Sequence, residues 1–223
     1  SFFQAQRGFV EVPAQSRLSI LAACEDPRTI SQFVFSGINY PLPQTGQMWL
    51  EYELLADPLL NGVFCQTTSY RNEPNPIPGR HDKIFPMFEF EAKGDVDTLR
   101  ALERELLSFL GFSSPISIQY EEVCKRYGIN ELQSKQEEQI GIDYGSVVSL
   151  EKFPQRTHPF WNMKHIENGI FNKIDILLHG METIGSAERS TNVEEMYKNF
   201  LTISAGHYSQ LLFAEFGRDR VMN

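Results

Sequence analysis

Apolar and polar side chains alternate most regularly from Ile84 to Glu91. Ile84, Pro86, Phe88 and Phe90 fall on one face, and Phe85, Met87, Glu89 and Glu91 on the other. The segment reads as a strand. Gly62 to Arg71 has strand composition and reads as its partner. Between them, Asn72 to Arg80 holds three prolines and a glycine, which predicts a hairpin with a long loop. A helical period starts after Asp95, a plausible cap. Val96, Leu99, Leu102, Leu106 and Leu110 make its apolar stripe, and Gly111 ends it.

The rest of the chain is read in the same way. Ser1 to Gly8 is the end of a helix stopped by glycine. Phe9 to Pro13 is a short strand ended by proline. Residues 25–46 are rich in Pro, Gly, Asp and Asn and read as loops, and Gln47 to Leu60 as a short helix. Residues 115–120 predict a strand, 121–127 a short helix, and 146–153 another strand, with a polar stretch over 130–145. Ile170 to His179 predicts a strand interrupted by Gly180, and residues 193–216 a helix. Strands separated by long turns, with helices grouped between them, predict an α+β fold: an antiparallel sheet flanked by helices, in one domain over residues 1–223.

Composition narrows the function classes. Twenty-nine acidic against 20 basic residues give a net charge of −9, which disfavours a protein that coats nucleic acid, DNA included. A small local basic site remains compatible with it. No apolar run is long enough to span a membrane, and no signal peptide is visible. Cys24, Cys65 and Cys124 are odd in number and widely spaced, so they imply neither a disulfide framework nor a zinc site. A reducing cytoplasm is the default location. The chain starts without Met and closes without a clear stop signal, so we expect that segments are missing at both ends.

Three constellations could carry chemistry. In the hairpin, Ser69, Arg71 and Glu73 share a face, the loop carries Gly79-Arg80-His81, and the second strand adds Phe85, Glu89 and Glu91. Arginine forks match phosphate oxygens, and carboxylates bind Mg²⁺ or an amino group, so the hairpin could cradle a nucleotide. Alternation alone favours a plainer outcome, a sheet with a solvated charged face. In the second constellation, Asp175 sits inside an apolar strand, where it needs a cation or donors. Glu182 and Arg189 follow at intervals of seven, and Gly180 and Gly185 permit a kinked backbone near a ligand. A structural acid–arginine pair near a turn is the alternative. The third, Phe153 to Met163, is a proline- and aromatic-rich loop that could line a pocket or simply pack the core; its Arg156 and His158 could meet an acidic side chain.

In this order the segments resemble the catalytic domain of class II aminoacyl-tRNA synthetases of the aspartate/asparagine/lysine subgroup. Gly8 to Pro13 looks like motif 1, whose proline lies at a dimer interface. Tyr70-Arg71-Asn72-Glu73, Gly79-Arg80-His81 and Phe85 to Glu91 look like motif 2. Phe153-Pro154, Phe160 to Met163, Asp175 and Glu182 to Arg189 look like the approach to motif 3. The resemblance implies ATP and Mg²⁺ as cofactors. Arg71 would bind the α-phosphate and the carboxylate being activated, and Glu73 would contact adenine. Arg80 and His81 would lie near the β- and γ-phosphates, with Phe85 stacked on adenine. Asp175 and Glu182 would hold metal and phosphate. Asp26, Gln47, Glu89, Glu91 and Arg189 would meet the amino-acid substrate, Arg71 and Arg189 would act in catalysis, and Pro13 would sit in a homodimer interface. Two departures stand out: Ile84 replaces the glutamate that usually precedes the stacking phenylalanine, and a glycine-rich motif 3 is not visible.

Within the subgroup, Asp26-Pro27, Thr45 and Pro78-Gly79-Arg80-His81 are most similar to the compact archaeal asparagine synthetases. That resemblance implies an aspartyl adenylate passed to ammonia. A synthetase charging tRNA, and a non-catalytic paralogue with a ligand-binding or regulatory role, are the alternatives.

Overall fold

The computed structural model describes residues 1–15, 29–157, 162–192, 194–196, 198 and 207–222. They gather into two compact units, Ser1–Lys93 with Thr191–Asn223, and Gly94–Ser190. Both mix helices with mainly antiparallel strands, so the α+β class expected from the sequence holds.

In the first unit, α1 (Phe2–Arg7) ends at Gly8, which takes the left-handed conformation with φ 66° that a residue without Cβ adopts freely. It leads into β1 (Val10–Glu11), which runs parallel to β4 (Gly62–Tyr70); β4 pairs antiparallel with β5 (Ile84–Ala92). The expected hairpin is therefore present, with Ser69 opposite Phe85 and Cys65 opposite Glu89. Part of its apolar face is covered by α1, whose Phe3 ring lies 4.8 Å from Phe88, 4.9 Å from Phe90 and 6.0 Å from Phe64, while Ile84 and Phe88 remain exposed. Its other face takes α2 (Gln47–Ala56), where Leu50, Val63 and Cys65 form a small dry core.

A second hairpin was not expected. Residues 25–46 read as loops, yet β2 (Gln32–Phe35) and β3 (Ile38–Pro41) pair across Ser36-Gly37. Both turn residues have positive φ, 52° and 76°, as tight hairpin turns require. Phe33, Val34, Phe35 and Ile38 are exposed, so no one-sided burial pattern marks these strands.

In the second unit, β6 (Ile116–Gln119) runs parallel to β7 (Val147–Pro154). Antiparallel β8 (Ile170–Leu178) and β9 (Met181–Ala187) follow, in the order β6-β7-β8-β9. Helix α3 (Val96–Phe109) is capped by the Asp95 carboxylate, which accepts from Thr98 N at 2.9 Å. Its buried positions are Leu102, Glu103 and Leu107, whereas Leu110, the last residue of the expected stripe, is exposed. Leu107 packs with Val147, Ile174 and Ile176 on that face of the sheet. The opposite face carries α4 (Tyr120–Tyr127) and α5 (Ser134–Tyr144), packed through Tyr120, Val123, Cys124 and Ile140 on Val148, Leu150 and Leu177.

Strand β9, helix α5 and a short helix at Arg218–Met222 are further elements that periodicity did not show. His179 and Gly180 form another two-residue turn with positive φ. A Cβ at Gly180 would meet Glu138 Cα at 2.7 Å, so its missing side chain admits α5, not a ligand.

Glu103 is a carboxyl inside this packing. It is 1% exposed, and Ser186 Oγ donates to its Oε1 at 2.5 Å. Its Oε2 has no hydrogen-bond partner. Burial pushes its pKa from 4.5 up to about 7, the Ser186 hydroxyl opposing and the acids Asp175 and Glu151 adding to the rise. Folded Glu103 thus keeps its proton where the unfolded chain has lost it. This costs nothing below about pH 4.5 and grows as pH rises toward 7. Glu103→Gln is expected to leave unfolding free energy little changed at pH 4.5 and to raise it by about 3 kcal/mol at pH 8, measured by denaturant titration.

Candidate functional site

The side of the β4–β5 hairpin facing α2 carries Cys65, Thr67 and Ser69 opposite Glu89, Met87 and Phe85. Alternation favoured a solvated charged face here, and the structure corrects that. Glu89 is 3% exposed. Its Oε1 accepts from the Thr45 hydroxyl, and its Oε2 accepts from Gly46 N at 2.8 Å and Thr67 Oγ1 at 2.5 Å. Gly46 is the residue before α2, so the carboxylate also faces the positive end of that helix. The approach demands glycine: a Cβ there would lie 2.8 Å from Thr67 Cγ2 and 3.2 Å from Glu89 Oε2. Beneath it, burial and then the Glu89 charge push the Cys65 thiol up to about 12, so this cysteine is an inert packing group.

Arg71 continues the same face. Its guanidinium lies over the Phe85 ring at 5.3 Å, and its Nε donates to Ser69 Oγ at 3.3 Å. The Ser69 hydroxyl donates in turn to the Gln44 carbonyl at 2.7 Å. A backbone bridge to Ile30, and Arg71 N donating to the Lys83 carbonyl at 2.8 Å, fix the main chain there. Arginine, aromatic ring and buried acid thus share one side of one hairpin: alternation had placed Phe85 with Glu89, and the β4–β5 register brings Ser69 and Arg71 to the same side. Glu91 lies farther along this face, half-buried, opposite Val63. Gln47 opens α2, its N–H donating to Thr45 Oγ1 at 3.1 Å. In the hairpin loop, His81 Nδ1 lies 3.4 Å from Glu73 Oε2, and the amides of Arg80 and His81 both donate to the Ile77 carbonyl. Pro13 follows β1 and is exposed.

The second unit holds the other candidates. Asp175 on β8 pairs with Gly185 on β9 and is 5% exposed. Lys173 Nζ donates to its Oδ2 at 2.6 Å. Oδ1 is buried with no hydrogen-bond partner. A Cβ at Gly185 would lie 2.8 Å from Glu182 Oε1 and 3.6 Å from Asp175 Oδ1, so this glycine clears the space over which the two acids converge. Burial raises Asp175 to about 7 against the lowering effect of Lys173, and Glu182 raises it further. Lys173 was not recognised from the sequence. It lies two residues from Asp175 on one strand, hence on the same face, and that spacing was the available signal.

Arg189 lies past β9, with its Nη1 donating to Asn162 Oδ1 at 2.8 Å and its backbone bridged to Met163. The preceding Glu188 accepts from Lys164 Nζ, Asn172 Nδ2 and Val96 N, which ties β9 to the start of α3. Arg156 is already satisfied: it pairs with Glu121 through both terminal nitrogens and donates from Nε to the Asn130 carbonyl at 2.7 Å. This surface pair engages the guanidinium that the sequence offered as one contact for an acidic side chain. Asp26, His158, Phe160 and Trp161 lie outside the described residues.

Residues 2–216 match the family described as tRNA synthetases class II (D, K and N). No curated protein matches the chain. Among solved structures, the asparaginyl-tRNA synthetase of Pyrococcus horikoshii complexed with asparaginyl-adenylate is similar at TM-score 0.82 and 19% identity, covering 94% of this chain and 56% of that one. The Entamoeba histolytica asparaginyl-tRNA synthetase complexed with asparaginyl-adenylate gives 0.75 at 16% identity, over 99% and 59%. The aspartyl enzyme of the same organism gives 0.66 at 17%, over 98% and 48%. The chain thus spans less than two thirds of the length of these proteins.

Proposed function

Because the chain belongs to the class II tRNA synthetases of the D, K and N group, we propose that it activates an amino-acid carboxylate with ATP and passes the acyl group to a small acceptor. The substrate we favour is aspartate and the acceptor ammonia. The observation that carries the adenylating step is the shared side of the β4–β5 hairpin: Arg71 over Phe85, with Glu89 held by Thr45, Gly46 and Thr67. An aromatic ring for adenine, a guanidinium for phosphate and a carboxylate for an ammonium group are the recognition elements of an aminoacyl adenylate.

In this mechanism the substrate carboxylate oxygen attacks the α-phosphorus and pyrophosphate leaves. No protein nucleophile takes part. Arg71 binds the α-phosphate and the attacking carboxylate, stabilising charge as it builds on the phosphate oxygens. Phe85 stacks on adenine, Glu73 contacts its edge, and Arg80 and His81 meet the outer phosphates. Glu89, with Gln47 and Glu91, orients the amino acid, as would Asp26; Arg189, aimed by Asn162, takes the substrate's carboxylate or side chain. Ammonia then attacks the acyl carbon, giving the amide and AMP.

Asp175 and Glu182 fit a divalent ion: one buried oxygen is unpartnered, and Gly185 leaves room beside it. Among the described residues no group of three or more His, Cys, Asp or Glu forms a cage. Two carboxylates completed by substrate phosphates are the usual Mg²⁺ arrangement. Mg²⁺, when bound, neutralises polyphosphate charge.

The family match runs through both units, and we assign them to one catalytic domain over residues 1–223. A homodimer through Pro13 and a cytoplasmic location belong to the same proposal. No described helix is long and apolar enough to cross a membrane.

ATP–pyrophosphate exchange with each amino acid in turn tests the reading. Aspartate is expected to support exchange and ammonia to discharge the adenylate. No exchange with any amino acid would favour a non-catalytic, ligand-binding paralogue. The family match also supports tRNA as acceptor. Tight tRNA binding that weakens steeply with salt would establish that acceptor over ammonia, against the chain's net charge of −9.

A further inference from the structure

Lys173 places a positive charge inside the carboxylate site of the second unit. Its side chain lies against the sheet with Nζ 2.6 Å from Asp175 Oδ2 and 4.1 Å from the centre of the Phe153 ring. The ring face and the carboxylate hold the ammonium from two directions. Asp175 Oδ2 is thereby occupied, and Oδ1 remains buried and unpartnered on the side where Gly185 admits Glu182 Oε1. The acids whose charges reach Lys173 are Asp175, Glu182 and Glu137 of α5.

We propose that Lys173 is a resident cation that restrains divalent-ion binding, so that the Asp175–Glu182 pair takes its metal only together with a polyphosphate. A divalent ion arriving alone meets one available oxygen of Asp175, the carboxylate of Glu182 and the repulsion of an ammonium that the Asp175 carboxylate holds in place. Chelating Asp175 through both oxygens would bring the ion up against the ammonium that donates to Oδ2, so Lys173 disfavours that mode. A metal bound to the phosphates of ATP brings its own oxygen ligands, and their negative charge offsets the ammonium. Lys173 is a positioning residue in this scheme: it fixes which oxygen Asp175 offers and sets the net charge of the site. The proposal rests on the adenylating reading above.

Mn²⁺ is the probe, followed by electron paramagnetic resonance or calorimetry on the full chain, alone and with a non-hydrolysable ATP analogue. The natural protein is expected to bind Mn²⁺ at least tenfold more tightly with the analogue than without it. Lys173→Met should tighten binding of Mn²⁺ alone by about tenfold. Lys173→Gln, which can still donate to Asp175 but carries no charge, should do the same, and Lys173→Arg should restore the weak binding. Equal Mn²⁺ affinity of the natural protein with and without analogue overturns the proposal, whether or not the variants fold. So does unchanged or weaker binding of Mn²⁺ alone by both neutral variants. Failure of the natural protein to bind the analogue at all, with or without Mn²⁺, would instead sink the adenylating reading itself.

Discussion

Arg71→Ala is expected to lower kcat/KM in ATP–pyrophosphate exchange at least about a hundredfold, the usual scale for removing a preorganised group that meets developing charge. The fold should survive, because the side chain is only half-buried and the hairpin is closed by backbone pairs that do not depend on it. Arg71→Lys should recover little. An ammonium cannot keep the planar fork over Phe85 while also donating from Nε to Ser69. Exchange measured at saturating amino acid, beside a thermal melt, separates lost chemistry from lost structure. Unchanged exchange would show that this hairpin is not the adenylating element.

Glu89 is expected to give the second large effect, split between two variants. Glu89→Leu leaves Gly46 N, Thr45 Oγ1 and Thr67 Oγ1 without their shared acceptor in a buried site. The hydroxyls can rotate toward other acceptors but the amide cannot, so the loss should be about 3 kcal/mol of stability. Glu89→Gln keeps an oxygen for Gly46 N, and its amide can donate to a rotated hydroxyl. It should fold within about 1 kcal/mol of the natural protein. It removes the negative charge, however, so KM for the amino acid should rise by one to two orders of magnitude with a smaller change in kcat. Chemical denaturation and exchange kinetics on both variants check this. A Glu89→Gln protein with unaltered KM would make the buried acid purely structural.

Elements with strong internal signals are legible in the sequence. The β4–β5 pair announces itself by alternation and a proline-rich loop, and Gly8 stops α1 as its position implies. The hairpins β2–β3 and β8–β9 are less visible, since each turns in two residues and their outer strands lack one-sided burial. Ser36-Gly37 and His179-Gly180 are the available clues, because such turns need positive φ. Helix α5 buries little beyond Ile140, so it shows no apolar stripe. Its place is fixed by contact with Gly180 at the β8–β9 turn.

The candidate site divides along the same line. Period-two alternation places Phe85 and Glu89 on one side of a strand whatever surrounds them, and that much the sequence determined by itself. Only the tertiary structure decided that this side is the enclosed one. Burial depends on what packs against a strand: α1 packs on only part of the apolar face, leaving Ile84 and Phe88 exposed, while Thr45, Gly46 and α2 close over Glu89. The sequence likewise marked Asp175 as a carboxylate in need of a partner. Which oxygen is satisfied by Lys173 and which is left toward Glu182 follows from the pairing of β8 with β9 and from a glycine that leaves two acids room to converge.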